Sequence, residues 1–236
     1  MSNSCINWDK QSWLSSKRYF DDLTKSLIKA LNLKSNSSIL DVGCGRAHLI
    51  RNLSSKIEFD NILIGVEPIN HKKSDNKKIK VFNQSIQDFL KQNENRYDFI
   101  IFKQVLHLIP LIERNKLYRS ICNTLSSKGK IVILQMDKNH NFPTFPLMRQ
   151  RLKSSINMHD EIINELNLNF FDIKKEKFKF NDKISKKDYL NMVKNRFISI
   201  LTNLTNLEIE EGCSYINQNY PSEIIFDDIL DIIIVS

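Results

Sequence analysis

The chain has 236 residues, of which 41% are hydrophobic and 26% charged, and carries a formal net charge of +8. That length accommodates one domain with a substantial core, and the composition excludes disorder as a description of the whole chain. No run approaches the roughly 18 apolar residues of a membrane span, and the opening MSNSCINWDKQSW lacks the basic-then-apolar layout of a signal peptide, so a soluble, cytoplasmic protein is expected.

Taken in chain order, residues 8–33 read as a leading helix, because Trp13, Phe20, Leu23, Leu27 and Leu31 recur at helical spacing. SILDV (38–42) reads as a short buried strand and RAHLIRNLSS (46–55) as a helix. NILIGV (61–66) is the second strand, closed by Glu67 and the fixed turn of Pro68. IKVFN (79–83) is the third strand and IQDFLKQN (86–93) a helix. YDFIIFK (97–103) is the fourth strand, and LIERNKLYRSICNTLS (111–126) a helix whose stop is placed at Lys128-Gly129. KIVILQM (130–136) is the fifth strand. A helix near 148–167 follows, then FFDIKKEKFKF (170–180), which alternates as an edge strand does. A helical insert spans 185–218, and ILDIIIV (229–235) is too apolar for an edge and belongs between neighbours.

Apolar strands alternating with helices indicate an α/β fold with a parallel sheet covered on both faces. No internal repeat or long linker divides the chain. Within a single domain, 1–34 is expected to form a helical cap, 35–136 a ligand-binding core, and 137–236 the remaining helices and final strand pair. The cysteines, at 5, 44, 122 and 213, form no CxxC pair and are read as free thiols, with no metal site expected. The positive charge is mostly lysine and is densest at NHKKSDNKKIK (70–80), between two strands, where a solvated loop is the ordinary explanation.

Two of the five glycines stand in ILDVGCGRAHL (39–49). A dinucleotide fingerprint requires a third glycine at 48, which is His48, and a phosphate-binding P-loop requires Gly-Lys-Ser/Thr, where the chain has Gly45-Arg46-Ala47. Neither phosphate pattern fits. Asp41-x-Gly43-x-Gly45, followed by Glu67 at the end of the second strand and YDFIIF as the fourth, resembles the class I S-adenosylmethionine-dependent methyltransferases over about residues 35–136. The family's third glycine position carries Ala47, a mild departure.

The resemblance implies a Rossmann-like, doubly wound sheet of seven strands, mostly parallel with an antiparallel last strand, and S-adenosylmethionine as cofactor. It places Gly43, Cys44 and Gly45 against that ligand, Asp41 at its methionine ammonium, and Glu67, beside Pro68, at its ribose hydroxyls. The start of the following helix would receive its carboxylate. Ser85, with the Ile86 amide behind it, is matched to the adenine amino group, or Asp88 if the register is shifted; capping of the next helix is the competing role of Ser85.

Ligands of parallel sheets gather at the carboxyl ends of the strands, so Lys103, Gln104 and His107, after the fourth strand, are expected near the transferred methyl group. Lys103 also adjoins the cofactor. His107 is a candidate general base, since its ordinary pKa is near neutrality, and packing beneath the next helix is its alternative role. Trp8, Trp13, Tyr19 and Phe20 could cover the cofactor. In the insert, which resembles a lid segment of small-molecule methyltransferases, Arg196 could clamp an anionic acceptor group. Phe145, with Phe142 and Met148, would form an apolar side of the acceptor site. The expected partner is therefore a small-molecule acceptor methylated on O, N or C, with no membrane and no nucleic acid. The alternatives are an RNA or protein acceptor, and a non-catalytic scaffold retaining the fold. Against nucleic-acid versions, KQVL replaces the Asn/Asp-Pro-Pro-aromatic motif of adenine-N6 enzymes, and no Pro-Cys pair serves cytosine-C5 chemistry.

Overall fold

Short apolar runs too brief for helices pair into one sheet. In a computed structural model, which describes residues 12–71, 76–170 and 172–236, these are β1 (Ile39–Val42), β2 (Leu63–Val66), β3 (Ile79–Phe82) and β4 (Tyr97–Lys103), joined by the longer β5 (Leu125–Met136), β6 (Ile173–Ser185) and β7 (Glu223–Val235). Their order is β3-β2-β1-β4-β5-β7-β6. Neighbours from β3 to β5 are parallel, whereas β7 runs antiparallel to both β5 and β6. Six strands thus share one direction and the seventh opposes them, as the resemblance implies. Strand order reverses at β1, flanked by β2 and β4, and the crevice at such a switch point is where open α/β sheets bind ligands.

Alternation along the strands divides the core. On one face Ile39, Ile101, Leu134, Phe178 and Leu230 pack with α1 (Lys17–Leu31) and α2 (His48–Ser54), together with α6 (Lys186–Lys194) and α7 (Asn206–Asn219). On the other, Leu40, Phe102, Ile133 and Val235 pack with α3 (Ile86–Gln92), α4 (Leu111–Cys122) and α5 (Pro146–Asn169). Buried Phe20, Leu23, Leu27 and Leu31 form the inward stripe of α1. Among the described residues, no helix is long and apolar enough to cross a membrane, and Cys44, Cys122 and Cys213 are free. Cys5, Trp8 and 72–75 of the lysine-rich stretch lie outside the described residues.

Three local departures from the sequence reading have physical causes. The leading helix is broken: a 3-10 turn, Trp13–Ser15, precedes α1, whose N-cap Ser16 accepts the Tyr19 amide. Helix α4 stops at Cys122, before Lys128-Gly129, because Thr124 already bonds the start of β4 through its carbonyl. Gly129 instead sits in β5, where the register against β4 slips between Tyr97 and Phe99. The final hairpin is longer than 170–180 and 229–235 suggest, pairing Ile173–Ser185 with Glu223–Val235 throughout. Its extra length brings in polar residues of a kind that disfavours strands, beside buried Ile224 and Phe226. Here those polar groups pair across the ladder: Asn181 donates to Asp227, Lys179 meets Asp227, and Lys183 meets Glu223.

A Cβ at Gly129 would stand 2.7 Å from the Tyr97 carbonyl oxygen and 2.9 Å from the Ser126 nitrogen, both backbone atoms. Gly129→Ala is therefore expected to cost about 1–3 kcal/mol and to lower the melting temperature by about 2–10 °C, measured by thermal denaturation. The cofactor affinity should not change.

Candidate active site

The chain leaves β1 through two residues in the left-handed region, Gly43 at φ +66° and Gly45 at φ +53°. The Gly43 and Cys44 amides both donate to the Val66 carbonyl of β2. A Cβ on Gly43 would lie 2.4 Å from the Val105 side chain, whereas one on Gly45 would meet nothing within 4 Å. The loop is thus pressed against the chain after β4 and open on its other side. Ala47 takes the left-handed conformation as well, at φ +60°, as N-cap of α2. Cys44 packs over Gly65, whose missing side chain makes room for its sulfur, and burial holds its thiol protonated by pushing the pKa up, with Asp41 and Glu67 adding to the shift.

Glu67 joins this loop to the next. Its Oε2 accepts the Gly45 amide at 2.9 Å and its Oε1 the Ile69 amide at 3.0 Å. A carboxylate has about four acceptor positions, so both oxygens retain lone pairs for a further donor. Asn83, beyond β3, donates to the Ile69 carbonyl beside it. Asp41 is buried, and its Oδ2 has no hydrogen-bond partner among the described residues. Burial raises its pKa to about 7, with Lys103 opposing the shift and Glu67 adding to it.

At the end of β4, the Lys103 ammonium lies 5.7 Å from the Tyr19 ring centroid and 5.6 Å from that of Phe20, both on α1. Gln104 follows at φ +54°, its amide donating to the Leu134 carbonyl. His107 falls in a 3-10 turn, Leu106–Leu108, with its ring centroid 5.9 Å from that of His159 on α5. His159 in turn contacts the Met136 carbonyl through Nδ1 at 3.1 Å. The turn is braced from behind. Buried Arg114 makes a two-pronged contact with Glu165 of α5 and donates to the Ile109 carbonyl. Burial, then the charges of His159 and Arg114, lower the His107 pKa to about 4, so the imidazole is neutral at pH 7.

The sheet therefore brings Asp41, Gly43, Cys44, Gly45, Glu67 and Lys103 together, with Gln104 and His107 on the adjoining loop. Pro68 is exposed next to Glu67. Ser85 caps α3, accepting the Asp88 amide and donating to the Asp88 carboxylate, and Ile86 is buried behind it. Two expected acceptor residues are engaged elsewhere. Arg196 stands after α6 at φ +52°, outside any helix, and its guanidinium donates to the Leu204 carbonyl and Asn206 side chain. Phe145 packs its ring over Gly212 of α7. Asn83, Val105 and His159 went unnoticed in the sequence. Only their positions after strands, or on a helix facing one, give them meaning. A groove of about 600 Å³ along β2 and β3, lined by Ile64, Phe82, Phe89 and Tyr97, contains none of these residues.

Residues 14–175 match the family described as a methyltransferase domain. The chain belongs to the methyltransferase family. A protein of Invertebrate iridescent virus 6, 235L, assigned as a methyltransferase, is 26% identical over 91% of this chain and 84% of its own length. Among solved structures, a protein of Anabaena variabilis assigned to methylation in an antibiotic biosynthesis pathway superposes with a TM-score of 0.62. It is 17% identical, with 91% of this chain and 96% of that one covered. A cyclopropane-fatty-acyl-phospholipid synthase-like protein of Lactobacillus casei gives 0.58 at 10% identity, over 93% and 92%. These two share the fold. The methyltransferase uses S-adenosylmethionine, and its site fits that donor: Asp41 offers an unpartnered buried oxygen to a cation, and the side of Gly45 on which a Cβ would stand is open.

Two buried ionisable groups give opposite pH signatures. Asp41 has its folded pKa raised from 3.8 to about 7, so the folded state binds the extra proton and stability is lost as pH rises through that window. Asp41→Asn is expected to stabilise the methyltransferase by about 1–3 kcal/mol at pH 8, with the gain shrinking as pH falls toward 4, while cofactor affinity drops. His107 has its folded pKa lowered from 6.5 to about 4, so the unfolded state binds the proton there and stability is lost as pH falls through that range. His107→Gln should flatten this part of the curve. Melting temperatures of the three proteins from pH 4 to 8 check both signs.

Proposed function

We propose that the methyltransferase acts on a nucleophile of a small-molecule metabolite. S-adenosylmethionine supplies a methyl group on a sulfonium, which a nucleophile takes by in-line displacement. Glu67 carries the cofactor assignment. It already fixes the Gly45 and Ile69 amides and keeps acceptor positions for the ribose hydroxyls. Asp41 receives the ammonium, Gly43, Cys44 and Gly45 supply close backbone, and Pro68 fixes the turn after Glu67. Ser85 and the Ile86 amide border the adenine, with Asn83 beside Glu67. Lys103, Gln104 and His107 border the reacting end, and neutral His107 can accept a hydrogen bond there. Alignment of donor and acceptor supplies much of the acceleration in such displacements.

The buried aromatic packing on the α1 face of the sheet favours a small acceptor. Trp13 is buried among Phe142, Tyr189, Phe197 and Phe226, which belong to the loop after β5, the helical insert and β7. Four of the five β6 lysines, Lys174, Lys177, Lys179 and Lys183, each face a carboxylate, which reduces the free positive charge that strand offers a polyanion. In the lysine-rich stretch Lys78 donates to the Phe59 carbonyl, and Lys80 lies over the Phe82 ring.

Calorimetry with S-adenosylmethionine should give saturable binding. Glu67→Ala is expected to weaken it by about ten- to a hundredfold, the worth of one or more hydrogen bonds to a charged group. An affinity unchanged in this variant removes the ribose assignment, and absence of any binding at millimolar cofactor removes the function. Retention of bulk RNA at physiological salt would instead point to a polymeric acceptor, because purely phosphate-driven binding fades steeply with salt.

A further inference from the structure

Beneath α1 lie buried polar groups that the cofactor site does not use. Asp228 of β7 is fully buried. Its Oδ2 accepts the Trp13 indole N–H at 2.9 Å, while its Oδ1 has no hydrogen-bond partner among the described residues. Tyr19, in the first turn of α1, is fully buried too, and its hydroxyl has no partner among the described residues. Its ring is held edge-on by Phe178 and Phe180 of β6. Native proteins rarely leave such atoms unpaired in their interiors, and those that do usually have a use for them.

The two groups are near neighbours. The Tyr19 ring packs edge-on against Phe180, 5.2 Å between centroids, and Phe180 faces Asp228 across the β6–β7 ladder, yet neither polar group bonds the other. Both are tied to the cofactor loop through Lys103, whose charge acts on Asp228 and on Asp41 and whose ammonium lies against the Tyr19 ring. On the sheet, Asp228 shares a face with Leu230 and Ile232, and Asp41 and Lys103 share that same face. The unpaired oxygens therefore adjoin the reacting end of the cofactor site.

Their chemistry specifies what fits between them. A carboxylate oxygen only accepts, and a phenol hydroxyl with no other acceptor donates. A group joining them must donate one hydrogen bond and accept another. A hydroxyl does both and keeps one lone pair for attack: as its O–CH3 bond formed and the donor's S–CH3 bond broke, its proton would pass to Asp228 Oδ1. An amine that accepted from Tyr19 would spend its single lone pair, and a carbon nucleophile offers neither function. Resting on the cofactor reading above, we propose that Asp228 Oδ1 and the Tyr19 hydroxyl form an acceptor subsite that holds the hydroxyl of an alcohol or phenol, which makes the enzyme an O-methyltransferase. Trp13 fixes the carboxylate, and Lys103 offsets its charge.

The test uses the full chain saturated with S-adenosylhomocysteine and three probes of similar size: phenol, anisole and aniline. Calorimetry should show phenol binding at least tenfold tighter than anisole, because a site built to bond a hydroxyl strongly rejects the analogue lacking it. Tyr19→Phe and Asp228→Asn should each reduce phenol affinity about tenfold and leave S-adenosylhomocysteine affinity unchanged. Since the Tyr19 hydroxyl bonds nothing among the described residues, Tyr19→Phe should also keep the wild-type melting temperature. Equal affinities for phenol and anisole, or a phenol preference that survives both substitutions, would overturn the subsite. Aniline binding as tightly as phenol would overturn the choice of a hydroxyl. Wild-type protein that fails to take up S-adenosylhomocysteine would instead overturn the cofactor reading, and that is read first, before any probe is added.

Discussion

The contact between Gly43 and Val105 sets the distance on which the site depends. A Cβ at Gly43 would come within 2.4 Å of the Val105 side chain, so the loop leaving β1 and the loop leaving β4 touch at a point where only glycine fits. The first loop carries the groups that would hold the cofactor. The second carries Lys103, Gln104 and His107. Close approach of donor and acceptor in a displacement demands a fixed spacing between these two loops. Here the spacing is set by packed atoms, and Arg114 with Glu165 buttresses the second loop from α5.

The chain tolerates unfavourable electrostatics in the same place. Asp41 and Asp228 are both buried with an oxygen unpaired, and burial raises the pKa of each. Lys103 is shared between them. Polar groups fixed in a water-poor site before a ligand arrives need little reorganisation when it does. Their cost to the fold is met by the large apolar faces of the sheet, where residues such as Leu40, Ile100, Ile101 and Ile133 are almost wholly buried.

What the sequence disclosed follows the range of the interactions involved. Asp41, Gly43, Gly45 and Glu67 were legible because each acts through its own strand end, and the order of strand, glycines and acid is a local pattern. The place of β7 between two neighbours followed from its apolarity, and the doubly wound sheet from the family resemblance. Asp228 was hidden because FDD reads as a polar turn before a strand; it gains its meaning from Trp13, distant in sequence. Tyr19 looked like one more core aromatic, and only the absence of a partner for its hydroxyl sets it apart. The surroundings of Arg196 were hidden for a related reason. Its apolar neighbours suggested a helix, but the backbone turns left-handed there and spends the guanidinium on the connection between α6 and α7.

The hydrogen bond from Trp13 to Asp228 joins residues 215 positions apart, and this has a bearing on synthesis. Contacts of such separation form late, after the entropy of closing the intervening chain has been met. On the ribosome, β1 to β5 with their helices can pair while the chain grows. The segment bearing Trp13, by contrast, waits for β7 to emerge. Until then its aromatic ring and the strip of β5 that β7 will cover stay uncovered, and the nascent protein presents a sticky, half-built sheet edge of the kind that chaperones engage.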